Sequence, residues 1–162
     1  MKKWLAMALA LVQSRTAAAK DANNAYHKRQ VNKLKWIEIA LLAAGAVIGA
    51  SLRYKLVESP WTVYGLPLNV LVVNILGSFI LGFFAVMSPA LNLDPKYTLF
   101  VGVGFCGSLT TMSSFALETS NLFDNSRYGL MALNILTNVG LSLGAVFAGK
   151  TIADVVMERF MR

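Results

Sequence analysis

Cysteine and histidine are nearly missing from these 162 residues, Cys106 and His27 being the single example of each. One cysteine excludes a disulfide framework within the chain, and one of each excludes a Cys/His zinc cluster. No enzyme chemistry is indicated, because Cys106 lies in an apolar stretch, where cysteine acts as a small inert hydrophobe, and His27 lies in a basic N-terminal extension. Charge is scarce too, at 14% Asp, Glu, Lys and Arg, where soluble domains carry about 25%. That scarcity argues against a solvated globular surface.

What is present is apolar. Hydrophobic residues make up 56% of the chain, above the roughly 45–50% of soluble domains. Four runs have membrane-spanning length: Trp36 to Leu52, Leu68 to Met87, Tyr97 to Phe123 and Tyr128 to Gly149. Pro67 and Pro89 mark the ends of the second. The runs and their short loops leave no room for a separate soluble domain, and an all-α, multi-pass membrane protein follows. The tail from Lys150 to Arg162 returns to charged residues with an amphipathic pattern.

The net charge of +7 divides unevenly. Residues 1–35 hold Lys2, Lys3, Arg15, Lys20, Lys28, Arg29, Lys33 and Lys35 against Asp21 alone, whereas residues 36–162 are neutral overall. The body therefore lacks the electrostatic footprint of a nucleic-acid binder. Two parts follow, a basic extension at 1–35 and a four-helix transmembrane domain at 36–162. For the extension three readings stand: a cleaved signal peptide, a basic helix on the membrane surface, or a start placed upstream of a true one at Val31.

The third run is interrupted by Gly107-Ser108-Leu109-Thr110-Thr111-Met112-Ser113-Ser114. A break at bilayer depth frees carbonyls that lipid cannot satisfy, so it must face protein, water or an ion. The alternative is a kinked packing helix whose hydroxyls bond back to the preceding turn. Asn74 lies in the second run, and Asn134, Asn138 and Ser142 follow one another at spacings of four in the fourth, on one helix face. Such residues either join helices or line an ion path. Gly45 with Gly49, and Gly140 with Gly144, have the spacing that permits close helix approach.

Three segments resemble the CrcB/Fluc family of small fluoride channels: Gly49-Ala-Ser-Leu-Arg53-Tyr54, Val73-Asn74-Ile-Leu-Gly77-Ser78-Phe79, and Gly104-Phe-Cys-Gly107-Ser-Leu-Thr110-Thr111-Met112-Ser113-Ser114-Phe115. They fall in order on the first three runs. The resemblance implies four transmembrane helices with a broken third, in an antiparallel dual-topology homodimer with two pores, seated in a bacterial plasma or inner membrane. Fluoride would leave passively. The resemblance assigns the fluoride pathway to Asn74, Met112, Ser113, Ser114, Phe115, Glu118, Asn138 and Ser142, and a vestibule to Arg53. It also implies a structural sodium held by the backbone carbonyls of Gly107 and Thr110 of both subunits, with no organic cofactor. Met112 stands where most members have Phe, Ser108 replaces a glycine, and Asn134 takes a place where Tyr is frequent.

The residue types suit that ion. Fluoride is strongly hydrated, and uncharged donors can replace its water without trapping it as a buried lysine would. Phe115 can present the positive edge of its ring. The rivals are a small proton-coupled multidrug-type transporter, which needs an acid near the middle of its first span where Glu38 is too near the interface, and a non-transporting assembly protein. Membrane lipid and a second copy are the remaining expected partners. With the extension, the side bearing both termini has twelve Lys and Arg against three, which predicts cytoplasmic termini; without it the count is four against three, the near balance that dual insertion requires.

Overall fold

The computed structural model describes residue 20 and residues 36–58 and 61–160. The basic extension, Lys20 apart, lies outside the described residues, and so does His27. Two compact units divide the chain. In the first, Met1–Ile37, the described positions are Lys20 and the opening residues of a helix; the second, Glu38–Arg162, carries everything below.

Four described helical segments are long and apolar enough to cross a membrane. Helix α1 (Trp36–Glu58) is followed by strands β1 (Thr62–Val63) and β2 (Leu66–Pro67) and by helix α2 (Asn69–Ala90). The third span comprises α3 (Pro95–Thr98), a π-helical segment (Leu99–Cys106), α4 (Gly107–Leu109) and α5 (Met112–Asp124), and α6 (Tyr128–Phe160) closes the chain. The helices outrun the apolar stretches. Helix α1 continues past Arg53, and α6 carries the charged tail as one 33-residue helix, a length of about 50 Å that exceeds a bilayer core of about 30 Å.

Local chemistry fixes the turns. Tyr64 and Gly65 both have positive φ, at 51° and 84°, the primed-turn geometry that joins β1 antiparallel to β2. Asn69 accepts from the Trp61 N–H at 2.6 Å and donates to the Leu56 carbonyl at 2.7 Å, tying this hairpin to the end of α1. Helix α2 stops in a Schellman-type cap, with Asn92 at φ 48° and the Leu93 N–H bonded to the Ser88 carbonyl at 2.9 Å. Asp94 then caps the third span by accepting from the Lys96 N–H at 3.0 Å, with Pro95 in the first turn.

Glycines set the helix crossings. A Cβ on Gly45 or Gly49 would collide with the Phe100 or Phe105 carbonyl oxygen, so α1 lies backbone to backbone on the π-helical segment. Gly82 and Gly149 do the same between α2 and α6, the most extensive helix pair. Gly140 and Gly144 differ: among the described residues nothing lies within 4 Å of a Cβ at either, so their spacing serves no crossing there. Val70, Val73, Leu109, Cys106 and Asn134 are the largest fully buried side chains. Aliphatic side chains, a thiol and an amide thus share the interior, where Asn69 and Asn138 are buried too.

Candidate functional site

The break is narrower than the sequence suggests. Gly107–Leu109 is still helical and Met112 already opens α5, which leaves Thr110 and Thr111 extended, at φ/ψ of −73°/153° and −149°/115°. Ahead of them the helix is widened, with the Gly107 N–H reaching back five residues to the Gly102 carbonyl. Sequence reasoning missed that π-helical stretch; such stretches recur at functional sites.

Asn74 of α2 holds the break open. Its Oδ1 accepts from the Thr111 N–H at 2.8 Å, and its Nδ2 donates to the Thr111 carbonyl at 3.3 Å and to Asn138 Oδ1 of α6 at 3.1 Å. The Thr111 N–H is thereby withdrawn from the Gly107 carbonyl one turn earlier. Thr111 also caps α5, its hydroxyl accepting from the Ser114 N–H at 3.2 Å and lying 3.1 Å from the hydroxyls of Ser113 and Ser114. Gly77 makes room for this, because a Cβ there would occupy the position of Thr110 Cγ2.

A cavity of about 340 Å³ opens beside the break. Asn74, Thr110, Met112, Phe115, Asn138 and Ser142 line it, together with Gly107 and Ser78. Its polar groups are amides, hydroxyls and backbone, and none of its lining residues is charged. The Ser142 hydroxyl is buried without a partner among the described residues. Phe115 is buried at 7% exposure, whereas Met112 is 72% exposed at the cavity's edge. That exposure leaves one wall open.

Other expected residues lie elsewhere. Ser114 lines a second cavity of about 300 Å³ with Arg53, Tyr54 and Glu58. Arg53 extends from there to within 3.5 Å of the Thr110 carbonyl oxygen. Ser113 and Glu118 line neither cavity; Glu118 is half-buried, with Oε2 unpartnered among the described residues. Ser78 was present in the motif without a role, although it follows Asn74 by four residues and so shares its helix face. Thr111 was equally legible, as the second member of the Thr pair.

A sequence model of the family described as "CrcB-like protein, Camphor Resistance (CrcB)" matches residues 40–150. The chain belongs to the CrcB family. It is therefore a multi-pass membrane protein, and the broken third span with its uncharged cavity lies inside the matched CrcB region. Relatives described as "Fluoride-specific ion channel FluC" agree over nearly their whole length. The one from Nitrosopumilus maritimus is 56% identical over 125 residues, which cover 77% of this chain and 99% of the relative. The one from Sulfurihydrogenibium sp. is 45% identical over 116 residues, covering 70% and 94%. That from Methanococcus maripaludis is 42% identical over 113 residues, covering 70% and 93%.

Proposed function

We propose that this chain is a fluoride-specific ion channel, in which residues 36–162 form the channel domain and 1–35 a basic extension. The observation that carries the reading is the uncharged cavity at a broken membrane helix, lined by Asn74, Asn138 and Ser142, with the Ser142 hydroxyl buried and unpartnered. An unpaired buried hydroxyl costs free energy, and an anion arriving beside it recovers that cost. Both Asn74 hydrogens already have acceptors, and the bond to the Thr111 carbonyl is the longer at 3.3 Å. Fluoride takes that hydrogen by exchange, so contact is made without a large net gain and release stays fast. Met112 and the Phe115 ring edge bound the same step, Ser113, Ser114, Glu118 and Arg53 serve the approaches, and no bond is made or broken during passage.

The pore is completed by a second, antiparallel copy. Met112, Leu136, Val139 and Leu143 are exposed in one chain, and Gly140 and Gly144 offer a close-approach face that no element among the described residues uses. The donor set at the break also fits a hard cation, because the Gly107 carbonyl has lost its helical N–H and Thr110 is extended. Gly107 and Thr110 of the two copies would hold a structural sodium, which would neutralise carbonyl dipoles at the dimer centre.

The test is purified protein in liposomes with a fluoride electrode. Efflux far above that of empty vesicles, with chloride retained, is expected; release no faster than empty vesicles would overturn the reading in favour of a non-transporting assembly protein.

A further inference from the structure

Asn134 has zero exposure and is not part of the lining of the cavity at the break, yet it lies one turn before Asn138. Its bonds form one directed chain. The Thr119 hydroxyl donates to the Phe115 carbonyl at 2.7 Å, which commits its only hydrogen. Its oxygen can then only accept, and it does so from Asn134 Nδ2 at 3.1 Å. Asn134 Oδ1 is thereby turned toward Asn138 and accepts from Asn138 Nδ2 at 2.9 Å, while the Asn134 carbonyl takes the same amide at 3.2 Å. Asn138 Oδ1 is left facing Asn74 Nδ2 at 3.1 Å, and Asn74 Oδ1 ends the chain on the Thr111 N–H at 2.8 Å. Every link points the same way, from the N–H at the break back to the Phe115 carbonyl.

The geometry points to Thr119 and Asn134 as positioning residues for fluoride passage: through Asn138 they fix which edge of the Asn74 amide faces the acceptors at the break. Chemistry supports the direction. Reversing the Asn134 or Asn138 amide would set two NH2 groups or two oxygens against each other, and both residues are too buried for water to compensate. Phe115 is coupled to the same chain, because its own carbonyl receives the Thr119 hydroxyl one turn along α5. The pair thus ties the α5 backbone at Phe115 to the amides of α2 and α6. Neither residue needs to touch the ion. This inference rests on the fluoride-channel reading above, and one arm of its test is independent of flux.

The variants are Thr119→Val, which keeps the shape and removes the hydroxyl, and Thr119→Ser, which keeps the hydroxyl and removes a methyl. Fluoride flux per assembled dimer, normalised by size-exclusion chromatography, is compared with wild type in liposomes. Thr119→Ser is expected to stay within twofold, while Thr119→Val and Asn134→Leu lose about tenfold, the factor that one net hydrogen bond represents. A packing role predicts the reverse order for the two Thr119 variants, and that order would overturn the proposal. The second arm records side-chain amide resonances of Asn74 and Asn138 by NMR in detergent. They are expected to shift in Thr119→Val and to stay in Thr119→Ser; unmoved resonances in Thr119→Val would overturn the proposal. A wild-type protein without flux would refute the channel reading alone, because the resonances still report on the hydrogen-bond chain.

Discussion

Asn74→Asp tests the pore reading most directly, because it changes one group and little volume. The carboxylate keeps an oxygen for the Thr111 N–H but replaces the amide nitrogen that donates to Asn138 Oδ1 and the Thr111 carbonyl. Two donated bonds are lost, at about 0.5–1.5 kcal/mol each. The larger effect is on the ion. A carboxylate about 4 Å from fluoride repels it by about 4 kcal/mol at an effective dielectric of 20, and 4 kcal/mol corresponds to roughly a thousandfold change. Flux measured with a fluoride electrode on liposomes should fall to the level of empty vesicles, while size-exclusion chromatography still shows a dimer. A variant that keeps wild-type flux would remove Asn74 from the pore, whatever its hydrogen bonds to the break.

Met112→Phe adds a ring edge to the open side of the cavity and should keep or raise flux; complete loss would show that Met112 is packed against something a ring cannot replace. Gly49→Ala drives a methyl into the Phe105 carbonyl and should destabilise the fold by about 1–3 kcal/mol or more, read as a lower Tm in detergent. Gly140→Ala meets nothing among the described residues of its own chain, so it should leave monomer helicity intact and weaken the dimer, measured by crosslinking; unchanged dimerisation would take that face out of the interface. Replacing sodium by a large organic cation should lower both dimer recovery and flux, and unchanged values of both would end the proposal of a structural sodium at Gly107 and Thr110.

Four spans, the position of the break and the polar face at Asn134, Asn138 and Ser142 were all readable in the chain, because apolar runs, poor helix formers and a spacing of four are local properties. The resemblance to the CrcB/Fluc family rested on three contiguous motifs, and the family match covers all three. The glycine spacings were read alike at both pairs. Only the fold separates them, placing Gly45 and Gly49 against the third-span backbone and leaving Gly140 and Gly144 open.

The sequence by itself therefore determined what this protein is made of: apolar spans with a hydroxyl-rich interruption and a net charge confined to 35 residues. Tertiary structure decided which polar groups meet. Asn74 and Thr111 are 37 residues apart, and Asn74 and Asn138 are 64 apart, so no local pattern could pair them. Thr119 carried no reading in the sequence, and it gained one only because α6 brings Asn134 to within 3.1 Å of it. The reason is physical. Burial preferences are written residue by residue, but a hydrogen bond has direction and needs a particular partner, and helix packing alone supplies that partner.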